Sequence, residues 1–498
     1  QLSLDWQTPA GNPRALPTTF KIDARFTALG WAAQGARPGA NNLSGLLAGN
    51  EEKGSYQISG NHAGFDFPDV FADPALRFEK LNLRGGWKRE KGSGGENYLI
   101  EIAEALLSNA DLTANVYGSY RLDNKGPGIA DLHGKVLRAT GPRVQRYLPT
   151  VINAGTHEWL RSSILRGEVD SGSFSLQGDL ASFPFKSARD GIFQVRAHVR
   201  GGQLRYDSDY PMIEDIDGEL LMDGVRLEVR SDKARIFGAQ LHKVKVTIPD
   251  YETSDELLEV NGEAQGPASE FIRFVNFSPV SETLEGMAEE MTASGDMRLK
   301  LNLKIPLRRP QNTTAGGRLS FINNTVFPAP DLPRIEQMNG LLDFTERSIS
   351  APNMTARILG GGASATATTE NNQVRVRGRG VFQAAALEAW LGKEVADRLN
   401  GQADWRGEIY LGGGKNRLRF ESSLVGLESR LPAPIKKTAA KNLPFVFEQQ
   451  AMSGGGKWSS LQYGSVASAV WTSLPTTSGF RLERGELRFG DKARLPAE

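Results

Sequence analysis

Five histidines, no cysteine and a few closely spaced carboxylates are all the reactive chemistry in this 498-residue sequence. Without cysteine there is no thiol nucleophile, no disulfide and no thiolate metal site. His157-Glu158 begins like a zinc-protease helix, but that motif needs a second imidazole four residues on, where this chain has Arg161. Asp207-Ser-Asp209 and Asp215-Ile-Asp217 suggest calcium, yet neither has the spacing of a calcium-hand loop, and both read as turns. Glu79 and Glu336 would make an acid–base pair only if brought together, which nothing in the sequence does. The glycine triplets at 360–362, 412–414 and 454–456 do not lead into a helix through Lys-Ser/Thr. They read as turns or bulges, not phosphate loops. Arg308-Arg309 follows an alternating run and reads as a solvated hairpin end. The residues call for no catalytic group, no metal and no cofactor. A net charge of +1 gives no basis for bulk nucleic-acid binding.

The elements that would position any site are strands. Met297-Arg-Leu299-Lys-Leu301-Asn-Leu303-Lys-Ile305 alternates apolar and polar residues through nine positions. Val225-Arg-Leu227-Glu-Val229, Val244-Lys-Val246-Thr-Ile248 and Val374-Arg-Val376-Arg repeat the pattern, as do Phe193, Val195, Ala197 and Val199. Strand side chains alternate between faces, so each segment has one apolar and one charged face. Turn clusters such as Asp123-Asn-Lys-Gly126 and Glu370-Asn-Asn372 separate the runs. The pattern predicts an antiparallel β protein of roughly 30 strands. Glycine, at 55 residues against an average of about 7%, is expected to mark turns and bulges. No apolar run is long enough for a membrane helix. The opening Gln1-Leu2-Ser3-Leu4-Asp5-Trp6 already alternates, without an initiator Met, and reads as part of a longer protein.

Short helical stretches interrupt the strands in pairs, at 144–148 with 157–166, 270–276 with 282–291, and 384–391 with 394–399. Pro149, Pro279 and Gly392 break the pairs. A second marker recurs. Pro211-Met-Ile-Glu-Asp-Ile-Asp-Gly-Glu-Leu220 matches Pro333-Arg-Ile-Glu-Gln-Met-Asn-Gly-Leu-Leu342, with a weaker form at Pro74 to Trp87. Upstream, Gly202-Gln-Leu-Arg-Tyr206 is aligned with Gly317-Arg-Leu-Ser-Phe321. The expected organisation is therefore repeated blocks at 1–190, 191–310 and 311–450, with 451–498 starting another. A half-apolar sheet must cover its apolar face. It can do so as compact sandwiches, or as an elongated sheet curled into a trough. The strand pattern suits both. The 39% hydrophobic content favours the thinner object.

Four segments resemble the AsmA-like superfamily, and within it the YhdP family of Gram-negative envelope proteins. They are Arg37-Pro-Gly-Ala-Asn-Asn-Leu-Ser-Gly45, the stretch from Trp159-Leu160 through Gly167 to Phe183-Pro-Phe185, the Pro211 and Pro333 blocks, and Ser423-Leu-Val-Gly-Leu-Glu-Ser-Arg-Leu-Pro-Ala-Pro-Ile-Lys-Lys437. The resemblance implies a mainly β fold in which an elongated antiparallel sheet curls lengthwise into an apolar groove, similar to bridge-like lipid-transfer proteins. It implies a non-enzymatic conduit moving phospholipids between the inner and outer membranes. It also implies a periplasmic location, anchorage by an inner-membrane helix outside this chain, and outer-membrane or envelope proteins as further candidate partners. An envelope scaffold that binds proteins through sheet edges is the competing reading.

On the conduit reading, acyl chains would contact Val195, Val199, Leu227, Val229, Val244, Val246, Leu299, Leu301, Leu303, Val374 and Val376. The helix pairs would add Tyr147, Trp159, Phe274, Leu284, Met287 and Trp390 as covers. Packed core and end plugs are the corresponding structural alternatives.

Overall fold

Alternating strands connected by tight turns can pair only with their neighbours, and that local rule builds nearly all of this protein. The computed structural model describes residues 2–7, 19–34, 38–68, 70–71, 73–92, 95–122, 126–148, 150, 154–286, 288–329, 332–412, 416–476, 479–490 and 492–496. Arg37, Asp123 with its next two residues, Pro149, Met287 and positions 413–414 lie outside them. The described residues contain 27 strands and a few short helices.

Two units divide the chain. The first comprises 1–236, 241–260 and 305–312, and the second 237–240, 261–304 and 313–498. In the first, the strands from Leu2–Gln7 to Arg226–Ile236 form one antiparallel meander, each paired with the next. In the second, the meander runs from Thr292–Pro306 to Gly479–Phe489. A short strand, Leu427–Ser429, pairs separately with the start of Leu399–Leu411. Neither ladder closes on itself into a barrel among the described residues.

One edge of each ladder is made of tight hairpins. At Glu370-Asn-Asn-Gln373 both asparagines are left-handed, with φ of 52° and 63°, as a two-residue hairpin turn of this twist requires. The other edge carries the helical inserts. A 3₁₀ turn at Gly141–Tyr147 and helix Ala154–Ser163 link two strands of the first unit. Ala268–Asn276 with Val280–Thr283, and Ala384–Leu387 with Glu388–Leu391 and Lys393–Ala396, do so in the second.

Helices end earlier than the periodicity predicts. Residues 164–166 already belong to strand Ile164–Asp179, and the helix expected at 282–291 stops at Thr283. Ile164 and Arg166 pair into the sheet, and ladder hydrogen bonds outweigh a weak helical preference.

The recurring Pro211 and Pro333 blocks occupy equivalent places. Ile213, Ile216, Gly218 and Leu220 pair with Leu204, Gly202, Val199 and Ala197; Ile335, Met338, Gly340 and Leu342 pair with Val326, Asn324, Phe321 and Leu319. Asp215 and Gln337, at the same motif position, are both left-handed at bulges. This register corrects two expectations. Gly202 is the counterpart of Asn324, not of Gly317, and Asp215 and Asp217 lie on a bulged strand, not in a turn.

Among the described residues, fully buried apolar clusters form where inserts and loops fold back. One gathers Leu43, Leu76, Phe78 and Leu81 with Tyr147 packed on it; the other gathers Phe382, Trp405, Leu424 and Leu427 with Leu387 packed on it. Three of the five largest fully buried side chains, Asn324, Thr472 and Ser459, are polar, so there is little dry core elsewhere. The accessible surface is 29328 Å². A compact monomer of 54.3 kDa would expose about 18,000 Å².

Candidate functional site

In each unit one sheet face is apolar from strand to strand. Cross-strand partners share a face, so register can be followed from strand to strand. In the first unit one row runs Phe26, Gly45, Ile58, Leu83, Ala105, Val116, Gly134, Phe174, Val195, Met222 and Leu227. Every position is apolar or glycine through ten inter-strand steps, about 48 Å of ladder. In the second unit a row runs Ala365, Gly378, Gly407, Phe420, Phe447, Leu461, Ala469 and Leu487.

Glycine does more here than make turns. It recurs within strands on this face, opposite large rings. A Cβ at Gly54 would lie 2.0 Å from the Trp87 ring, one at Gly134 2.1 Å from Phe174, and one at Gly317 2.4 Å from Phe344. The missing side chain lets the ring lie down over the neighbouring strand. The result is a low apolar surface without tall ridges. The expectation that the glycine excess marks turns and bulges is therefore only part of its role.

The eleven strand residues singled out above are all half-buried, and none is fully covered. Val195 and Val199 pair through Phe174, Met222, Val169 and Gly218, and Leu227 and Val229 pair with Met222 and Leu220. Leu299, Leu301 and Leu303 face Leu319, Gly317 and Ala315. Val374 and Val376 face Leu411 and Ile409. Val244 and Val246 alternate with Lys245 and the buried Thr247 on their strand. Ladder neighbours cover the flanks of such side chains; covering their tops needs a further layer.

The helix residues are placed differently. Tyr147 packs against the first buried cluster, its hydroxyl accepting from Asn109 Nδ2 at 3.0 Å. Trp159 is 44% exposed, its indole N–H donating to the Tyr206 carbonyl at 3.2 Å, and Trp390 is 47% exposed. Phe274 and Leu284 are half-buried. The rings at Trp87, Phe174, Phe344, Trp405 and Phe420 were absent from the sequence-derived set. A glycine in phase on the adjoining strand was the signal that could have found them.

The opposite face is charged and paired. Arg375 and Arg377 both bind Glu408, at 2.5 and 3.2 Å, Arg318 binds Asp343 at 2.5 Å, and Arg419 bridges Glu421 and Glu448. Glu228, only 4% exposed, is held by Arg226, Arg230 and Lys245 at 2.5, 2.5 and 3.4 Å. Its hydrogen bond to Arg226, aided by Arg230 and Lys245, outweighs burial and brings its pKa down to about 2. His198 lies between Asp170 and Asp217, at 2.9 and 3.1 Å, and the hydrogen bond to Asp170 raises its pKa. Arg308 and Arg309 pair with Glu256 and Asp255 at a strand end. These groups are engaged with one another and hold the sheet's outer surface. Among the described residues no His, Asp and Glu converge in a set that could hold a metal ion.

Two of the recognised motifs are structural devices. Phe185 is 2% exposed, its ring filling the space over Gly178 and Gly191. Lys437, 3% exposed, donates to the carbonyls of Leu424, Leu427 and Thr438 at 2.6, 2.7 and 3.0 Å, and so ties down the segment that closes over the second buried cluster.

No solved structure matches the chain. The Escherichia coli (strain K12) protein described as "Intermembrane phospholipid transporter YhdP" is 24% identical over 502 residues, an alignment covering 93% of this chain and 38% of that protein. This chain thus spans well under half the length of that relative. The family model described as "YhdP protein" matches residues 1–498. From its first residue to its last, the chain belongs to the YhdP family.

Proposed function

We propose that this chain is a segment of a periplasmic conduit that carries phospholipids between the inner and outer membranes of a Gram-negative envelope, with acyl chains lying on the apolar sheet face. The observation that carries this reading is the unbroken apolar row, packed against the first buried cluster at Phe26, Ile58 and Leu83 and half-buried at Val116, Phe174, Val195, Met222 and Leu227. The description of the E. coli relative as an intermembrane phospholipid transporter supports it. Exposing acyl chains to water costs about 0.8 kcal/mol per CH₂. A continuous apolar face lowers that cost along the whole path, and no bond need be made or broken. Headgroups stay at the solvated margin. Val195, Val199, Leu227, Val229, Leu299, Leu301, Leu303, Val374 and Val376 are the proposed acyl contacts, with Val244 and Val246 on the same alternation.

The test is photo-crosslinking in cells. A benzophenone side chain at Val195 or Leu301 should capture phospholipid, and one at the adjacent Arg196 or Lys300 should not. Equal capture from both faces, together with a purified protein free of extractable phospholipid, would sink the proposal. Protein crosslinks from strand edges with no lipid on the apolar face would favour a scaffold instead.

A further inference from the structure

The charged face of the second unit contains a depression that the apolar-face reading does not use. A cavity of about 630 Å³ opens there, lined by Arg377, Arg379, Arg406 and Arg419 with Glu408 and Glu421. Four guanidinium groups against two carboxylates make a local cationic excess in a chain whose net charge is +1. Both carboxylates are already committed, Glu408 to Arg375 and Arg377, and Glu421 to Arg419. Arg379 and Arg406 remain. They are direct cross-strand partners; Arg406 also lies opposite Glu421 on its other side, but that carboxylate is bound to Arg419, and neither Arg379 nor Arg406 forms an ion pair among the described residues. Arg379 reaches only the Ser364 hydroxyl, at 3.4 Å. Like charges directly opposite on a sheet destabilise it. Everywhere else described on this face in the same strands, arginine is matched to glutamate.

We infer that Arg379 and Arg406 form a phosphate-binding site, with Ser364, Thr366 and Asn353 at its wall as neutral hydrogen-bond donors. Planar guanidinium forks bind phosphate oxygens two at a time. Hydroxyl and amide donors on the adjoining strands complete a ring suited to a tetrahedral oxyanion. The ligand is a phosphate group, either soluble or carried as a lipid headgroup. Strand alternation turns these residues away from Val376 and Ile409, so the site is separate from the proposed acyl path and stands or falls without it.

Calorimetric titration of the full chain with inorganic phosphate, at constant ionic strength, should show saturable binding. The Arg379→Gln/Arg406→Gln double variant should bind at least tenfold more weakly, and Arg298→Gln, on the charged face elsewhere, should bind as wild type. A parallel measurement uses vesicles of phosphatidylglycerol. Vesicle binding lost in the double variant identifies a headgroup site; phosphate binding without vesicle binding identifies a soluble phosphate ligand. In the unsubstituted protein, phosphate should protect Arg379 and Arg406 from phenylglyoxal as read by mass spectrometry. Absence of saturable phosphate binding, equal binding by the double variant, or unprotected arginines would overturn the inference.

Discussion

Glu228 offers the most direct measurement of what the charged face contributes. Its carboxylate is 4% exposed and touches three cations, at 2.5, 2.5 and 3.4 Å. Its folded pKa of about 2 lies about 2.5 units below the ordinary value of 4.5. At about 1.36 kcal/mol per unit, that is a ceiling of about 3.4 kcal/mol. The cationic side chains are 42–64% exposed, so water and salt screen the attraction, and about 1–2 kcal/mol is the expected stabilisation. The unfolded chain binds the proton more tightly. The contribution is therefore complete above pH 4.5, falls as pH drops through the window from 4.5 to 2, and is gone below it. Glu228→Gln should lower the opening free energy of amides in strand Arg226–Ile236 by that amount at pH 7. The gap from wild type should close as pH approaches 2. Hydrogen exchange reads this strand directly, without requiring the whole chain to unfold in one step. A gap below about 0.3 kcal/mol at pH 7, or one that stays constant from pH 5 to 2.5, would refute the reasoning.

Other parts of the architecture yield sharper or simpler tests. Gly134→Ala should cost about 1–3 kcal/mol, because its Cβ meets the Phe174 ring at 2.1 Å; adding Phe174→Ala should recover part of that loss in a double-mutant cycle read by urea unfolding. Lys437→Met should destabilise the second unit by about 3 kcal/mol, leaving three carbonyls without their shared donor, and should expose the 423–444 segment to protease. Leu301→Glu should reduce co-purifying phospholipid severalfold while Lys300→Glu leaves it unchanged, since the two positions differ only in the face they occupy. His198 should titrate above 6.5 by NMR and return toward that value in Asp170→Asn. Stability linked to its raised pKa is full below 6.5 and is lost as pH rises through the folded value.

The strands were legible because alternation is a local property. Met297 to Ile305 can bury one face only as a strand, and the turn residues between such runs force antiparallel neighbours. The helical inserts were visible for the same reason, although their ends were not. Isoleucine 164 is compatible with either state, and its ladder partner Leu204, forty residues away, decides. Local pattern also left the alignment of Gly202 and Gly317 undetermined, because register depends on where bulges at Asp215 and Gln337 fall.

Sequence by itself thus determined which side of each strand is apolar: Val195, Leu301 and Val376 each lie on the apolar side of their own strand whatever its partners. Tertiary structure alone decided what lies over that face. A sandwich and an open sheet demand the same alternation, and they differ only in contacts between residues far apart in the chain. Here those contacts form around Leu81 and Trp405, at the margin with the helical inserts, and the rest of the face stays half-covered. The pairing of Gly134 with Phe174, like that of Arg379 with Arg406, exists only once register is set, because neither residue carries any local mark of its partner.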